Sequence, residues 1–404
     1  MNAFLWQTYH RLIAETDTAQ HRFLFQHIDL AHRLTGIVGA RGVGKTTLLL
    51  QYLKEKLYAD SQSFYFSADN IYFSQVSILS FVDKLYQQQN IRIFFIDEIH
   101  KYENWNQELK NIYDSFPKVK IVFSGSSSID LIKGAYDLSR RARLLYLPGM
   151  SFREYLNIKT ASHYAPISFD DLLLHHQKIA AKLSQISKIA SHFEAYKTMG
   201  YYPMVFQWRE DLYPAIANII EKTIYEDIAN FYKLKTENLS CFKKIINFLA
   251  TIPPGEVNTN NISNHLGVDN KTTTNYLEIL SKTGLIKMLY PVATGHQLLS
   301  KPAKIYLDNT TLLAGVNTFL SEKIDIGTQR ELLFMQFLKG AGLPVFYPKI
   351  GDFQVNEVVF EVGGRNKKMH QLASVKHYKK MVVKDDILVG FENQIPLYLF
   401  GFLY

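Results

Sequence analysis

Gly39-Ala40-Arg41-Gly42-Val43-Gly44-Lys45-Thr46, followed by Thr47, fits the pattern G-x-x-x-x-G-K-[ST] of a phosphate-binding loop. Its glycines let the backbone turn tightly and aim successive N–H groups at a di- or triphosphate such as ATP. Lys45 has the reach for terminal phosphates, and the Thr46 hydroxyl suits Mg2+. The flanks agree with this reading. Residues 34–38 form a short, mostly apolar run suited to a buried strand, and residues 47–57 have the pattern of a helix whose N-terminus faces the anion. A glycine-rich turn that matches by accident needs neither flank.

Working outward, residues 91–96 are apolar except for Arg92 and end in Asp97-Glu98. That predicts a buried parallel strand delivering two acids to its carboxyl end, where ligands of open α/β sheets bind. In that role Asp97 holds Mg2+ through water and Glu98 polarises an attacking water; the bland alternative is a strand followed by an acidic helix cap. A third strand, residues 120–123, ends in Ser124-Gly125-Ser126. Ser124 or Ser126 is the candidate for a hydrogen bond to the γ-phosphate or the water, although Ser-Gly-Ser is also ordinary loop chemistry. Arg140, Arg141 and Arg143 follow, and an arginine from the same or a neighbouring subunit could neutralise transition-state charge. A solvated basic turn is the competing reading.

Together, the loop, the stretch from Asp97-Glu98 to Trp105, the serine-rich strand end and Leu147-Pro148-Gly149-Met150-Ser151-Phe152-Arg153-Glu154-Tyr155-Leu156 resemble prokaryotic AAA-type ATPases. The resemblance runs on through Gly200-Tyr-Tyr-Pro203, Tyr225-Glu-Asp-Ile228 and Phe360-Glu-Val-Gly-Gly-Arg-Asn-Lys367. It implies a P-loop parallel sheet, a winged helix-turn-helix and a C-terminal α/β domain related to restriction endonucleases. It also implies Lys45 and Thr46 on phosphate and metal, Asp97 and Glu98 as above, and Arg141 as the arginine. It implies no particular biological task.

Composition frames the rest. The 404 residues are 47% hydrophobic and 14% aromatic, ample for several packed cores. No apolar stretch is long enough to span a membrane and the first residues lack signal-peptide character, so a soluble cytoplasmic protein is expected. Cys241 is the only cysteine, which excludes an intrachain disulfide or a cysteine-based zinc site. Net charge is +8, spread along the chain rather than clustered. The one true run is Arg365, Lys367, Lys368, Lys376, Lys379, Lys380 and Lys384, with no acid among them. It suits a phosphate backbone, and equally a solvated face.

Four segments are expected: an ATPase core over 1–150, a helical lid over 151–235, a winged helix-turn-helix over 236–300 and a nuclease-like domain over 301–404. In the third, residues 259–266 and 270–283 are helices around the turn Gly267-Val268-Asp269, and a strand follows from Gly284. Lys271, Thr272, Thr273, Thr274 and Asn275 open the second helix and suit DNA contacts. In the fourth, strands are expected at 304–307, 345–347, 353–361 and 397–404. There Glu331, Asp352 and Glu361 follow the order of a PD-(D/E)-x-K metal site, but Gly363 stands where the lysine belongs. A nuclease-like fold with weak or absent cleavage is the inference. The whole reads as an ATP-binding and ATP-hydrolysing protein that couples nucleotide state to DNA or to an unknown protein partner, with homo-oligomers possible. An ATP-gated DNA-binding regulator with little turnover, or an ATP-dependent nuclease, are the alternatives.

Overall fold

A computed structural model describes residues 3–60, 62–125, 138, 140–257, 259–292, 301–367 and 378–404. The chain folds as two compact units, Met1–Pro148 and Gly149–Tyr404.

The first unit is built on a five-stranded, all-parallel sheet: β1 (Leu34–Val38), β2 (Ser63–Ser67), β3 (Ile93–Asp97), β4 (Lys120–Gly125) and β5 (Ala142–Tyr146), in the order β2-β3-β4-β1-β5. The expected parallel sheet is therefore present. Strands β1 to β4 are near-continuous apolar runs because helices cover the sheet's faces; Leu34, Ile37, Phe94, Phe95 and Ile96 are fully buried, whereas the edge strand β5 is not. Helices α1 (Ala3–Glu15), α2 (Lys45–Lys56), α3 (Ile78–Gln89) and α4 (Trp105–Ser115) supply that cover. In α1, Leu5, Tyr9 and Ile13 recur every fourth residue and form its buried stripe. An aromatic cluster of Phe66, Phe73 and Phe81, with ring centroids 4.8 to 5.4 Å apart, packs β2 against α3. Strand order reverses beside β1, the place where such sheets form a ligand crevice at their carboxyl edge.

The second unit opens with a helix, Phe152–Thr160, whose N-terminus is closed by a capping box between Ser151 and Glu154. Ser151 Oγ and Arg153 Nε both donate to the Tyr404 carbonyl, at 2.7 and 2.9 Å, so the first turn of this unit is tied to its last residue. Helices Phe169–Leu183, Ile189–Met199 and Leu212–Lys222 follow; the last runs on through a π-turn, Thr223–Ile228, to Tyr232. Helix Thr310–Leu320 packs against the helices Ile189–Met199 and Leu212–Lys222, and its first eight residues are all buried.

Between these, helix Thr259–Leu266, a turn with Gly267 at φ +68° and helix Asn270–Lys282 lead into an antiparallel pair, β6 (Ile286–Leu289) and β7 (Lys304–Leu307). Asp269 caps the second helix through the N–H groups of Lys271 and Thr272. Lys271, Thr274 and Asn275 are exposed, but Thr273 is fully buried and is not available for a groove contact. The unit ends in a four-stranded sheet of β8 (Phe353–Val355), β9 (Val358–Gly363), β10 (Lys379–Lys384) and β11 (Gln394–Pro396), in the order β11-β10-β9-β8.

Several local expectations for this last region need correction. The run 353–361 is a hairpin, because Asn356 turns the chain at φ +51°, a conformation asparagine tolerates. Residues 345–347 make only isolated bridges, Pro291 to Tyr347 and Phe346 to Gln354. Leu397–Phe402 is a 3-10 helix started by Pro396, with all six residues buried, rather than a strand. Within the basic run, Met381, Val382 and Val383 make β10 a buried strand; residues 368–377 of that run lie outside the described residues.

Lys339 is largely buried and donates to the Met288 carbonyl at 3.1 Å. Burial lowers its pKa to about 8, helped by the charge of Lys287 and partly opposed by Asp308. The folded protein thus releases this proton near pH 8, whereas an unfolded lysine holds it to the usual 10.5. Stability from this group is therefore fully present above 10.5 and lost as pH falls through 8. Lys339→Met is expected to gain about 1–3 kcal/mol on wild type at pH 7, the gain shrinking toward pH 10. Urea denaturation at both pH values checks it; parallel pH profiles contradict it.

Candidate functional site

The C-terminal ends of β1, β3 and β4 converge on one buried carboxylate. Asp97, 3% exposed, closes β3. Its Oδ2 accepts from the Thr46 hydroxyl at 2.6 Å and from the Tyr65 hydroxyl at 3.0 Å. Its Oδ1 accepts from the Ser124 hydroxyl and, at 3.1 Å, from the Glu98 N–H. Because β4 lies between β1 and β3, Ser124 stands between the loop and the acids, and its Oγ also accepts from the Glu98 N–H at 3.2 Å. Loop, acid pair and serine are thereby one cluster.

The loop Gly39 to Thr47 passes directly from β1 into α2. Gly42 and Gly44 take φ values of +80° and +94°, which side chains on Cβ resist. Gly44 is the N-cap of α2 and has no side chain to close the helix, so no side chain of the N-cap residue caps the first N–H groups. Lys45 is 5% exposed, and its Nζ donates to the carbonyls of Gly39 and Ala40 at 2.8 and 2.9 Å. Both carbonyls belong to the loop itself, so the ammonium is folded back over the loop.

Glu98 adopts φ +50°, ψ +37°, the left-handed region that costs a non-glycine residue about 1–3 kcal/mol and occurs at functional sites. Its carboxylate is 25% exposed and lies 3.6 Å from the buried His100 ring. Ser126 lies outside the described residues. Arg141 does not join the cluster. It precedes β5 at the sheet's opposite edge, five residues of parallel strand from the loop side, about 15 Å. There it pairs with Asp114 at 3.1 Å. Strand direction thus sets Arg141 apart from the loop, the acid pair and Ser124.

Tyr65 was not among the residues singled out by motif. Burial raises its pKa strongly, and the charge of Asp97 adds to this, so it remains a hydroxyl donor to the carboxylate. Its signal in the sequence was slight: one hydroxyl in the middle of the apolar stretch Phe64-Tyr65-Phe66.

The acids of the second unit are arranged differently. Glu331 accepts from Lys304 Nζ at 2.7 Å and from the Tyr306 hydroxyl at 2.6 Å. Asp352 accepts from the Val362 N–H at 2.9 Å and lies 3.9 Å from the ammonium groups of both Lys304 and Lys367. A Cβ on Gly363 would meet the Lys367 side chain at 2.8 Å, so Lys367 occupies the space a side chain at 363 would take. Among the described residues, the grouping of acids close enough to share a cation is instead Glu194, Asp385 and Asp386. Lys197 and Arg330 already neutralise it, with contacts of 2.6 to 3.0 Å.

Residues 31–156 match the family model described as an AAA domain, a span that holds the loop, the acid pair and Ser124. Residues 190–323 match a domain of unknown function (DUF8612). An uncharacterized protein of Methanocaldococcus jannaschii is 28% identical over 390 residues, covering 89% of this chain and 81% of its own length. Similar solved structures include AMPPCP-bound DnaA from Aquifex aeolicus, 12% identical at TM-score 0.27, covering 68% of this chain and 87% of that one. The S. cerevisiae Hsp104–ADP complex is 14% identical at TM-score 0.29, covering 69% of this chain and 39% of that one. Among the described residues, no helix is long and apolar enough to cross a membrane.

Proposed function

We propose that the first unit is an AAA-type ATPase module that binds ATP with Mg2+ and hydrolyses it. The observation that carries this reading is the Asp97 carboxylate, which joins the phosphate loop, through Thr46, to the strand ends bearing Glu98 and Ser124. The Thr46 hydroxyl and the Asp97 carboxylate are hard oxygen donors 2.6 Å apart, a donor set that fits Mg2+. The ion would neutralise charge on the β- and γ-phosphates when bound. Lys45 exchanges its loop carbonyls for phosphate oxygens, and the N–H groups at the start of α2 face the same anion. Glu98 orients and polarises the attacking water, while Ser124 donates to that water or to the γ-phosphate.

If Arg141 takes part in catalysis, its proposed place is the site of a neighbouring copy. That would make the protein a working oligomer. Its output is proposed to be a DNA or protein partner, with residues 236–300 as a winged helix-turn-helix presenting Lys271, Thr274 and Asn275. Where turnover is slow, the same site serves as a nucleotide-gated switch for DNA binding. Residues 301–404 are read as a nuclease-like domain without cleavage, because Lys304 and Lys367 stand beside two of the acids that a metal would need, Glu331 and Asp352.

Lys45→Ala should weaken ATP binding by about 2 kcal/mol or more, roughly 30-fold in Kd. Glu98→Gln should keep ATP affinity and slow hydrolysis about 100-fold or more. Calorimetric binding and phosphate release check both, and unaltered turnover in Glu98→Gln removes that residue from the mechanism. If Arg141 acts across subunits, mixing inactive Arg141→Ala and Glu98→Gln proteins should restore hydrolysis; mixtures no more active than their parts contradict it. No nicking of plasmid or single-stranded DNA is expected in Mg2+ or Mn2+, with or without ATP. Nicking that Asp352→Ala abolishes would instead make the chain a nuclease.

A further inference from the structure

Arg22 belongs to none of the motifs. It sits well before the phosphate loop, at the start of a short 3-10 helix, and its residue is only 6% exposed. One guanidinium nitrogen donates to the carbonyl of Val43, inside the loop; the other donates to the carbonyl of Pro148 at 2.7 Å. The segment holding Pro148 also presses on the loop's first residue. Leu147 N–H donates to the Val38 carbonyl at 2.8 Å, and a Cβ on Gly39 would stand 2.4 Å from the Leu147 carbonyl oxygen. The loop is therefore held at its entry by Leu147 and near its exit by Arg22.

That second hold bears on ligand binding. Lys45 Nζ bonds two carbonyls of the loop, those of Gly39 and Ala40. Moving the ammonium to a phosphate removes both bonds at once, so the loop's shape must then rest on contacts that do not involve Lys45. The geometry points to Arg22 as the positioning residue that does this. By fixing the Val43 carbonyl it keeps the N–H groups of Gly44, Lys45 and Thr46 directed at the phosphates of a nucleoside triphosphate while Lys45 changes partners. A guanidinium suits the task because its planar fork donates in two directions and stays charged at any working pH. A lysine at this position offers a single nitrogen in place of the two that reach Val43 and Pro148. The inference rests on the ATP-binding reading.

Arg22→Ala and Arg22→Lys test it through steady-state hydrolysis and equilibrium binding of a fluorescent ATP analogue. For Arg22→Ala, KM and Kd should rise about tenfold or more while kcat at saturating ATP stays within about twofold. Guanidinium ion at low millimolar concentration should lower KM of Arg22→Ala and leave wild type unaffected. Arg22→Lys should be intermediate. A purely structural role gives the opposite split: fewer folded molecules lower kcat and leave KM unchanged, and that result overturns the proposal. If Arg22→Ala does not fold, Arg22→Lys decides, and a wild-type KM in it overturns the proposal as well. Wild-type protein that fails to bind the analogue sinks the ATP-binding reading itself, whereas wild-type binding with an unchanged Arg22→Ala Kd sinks only the role of Arg22.

Discussion

Everything at the carboxyl edge of the first sheet depends on the burial of one charge, the Asp97 carboxylate. An isolated carboxylate taken out of water costs far more than a small domain can tolerate. Here three hydroxyls and one backbone N–H share its oxygens, from β2, β3, β4 and the start of α2. Satisfying the charge therefore also fixes where four elements end relative to one another. The phosphate loop has no freedom to drift from the acid pair, because Thr46, the second residue of α2, is one of the donors. A structural requirement and the assembly of a site are met by the same four hydrogen bonds.

Charge neutralisation has a different outcome in the second unit. Glu331 and Asp352 are satisfied by lysine ammonium groups and by Tyr306, with Lys304 itself lying near the faces of Tyr347 and Phe353. Glu194, Asp385 and Asp386 are likewise paired with Lys197 and Arg330. Burial raises the cost of breaking such pairs, since removing one partner leaves the other charged and dehydrated. The acids here hold their surroundings together through the chain's own cations. In the first unit the cation that matters, Lys45, donates instead to the backbone carbonyls of Gly39 and Ala40.

What the sequence made legible follows from how local each signal is. The loop Gly39 to Thr47 and the pair Asp97-Glu98 are consecutive residues flanked by apolar runs, so their strands and helix could be read directly. The turn Gly267-Val268-Asp269 ahead of helix Asn270–Lys282 was legible for the same reason. Tyr65 and Arg22 were not, because their meaning lies in partners far along the chain: Asp97 for one, Val43 and Pro148 for the other. Strand β10 was hidden by flanking lysines that drew attention to charge rather than to Met381, Val382 and Val383. The final 3-10 helix carries no such signal, because a fully buried apolar run has no periodicity to separate helix from strand. Arg141 could be picked out by type, but only strand direction revealed which edge of the sheet it occupies.

The most direct measurement is equilibrium binding of ATP to the purified chain with and without Mg2+, in wild type and in Asp97→Ala. If the carboxylate unites loop, acid pair and metal, wild-type affinity should rise about tenfold or more when Mg2+ is added. In Asp97→Ala that increment should vanish. Absence of saturable ATP binding in wild type, or an increment that survives the loss of Asp97, contradicts it.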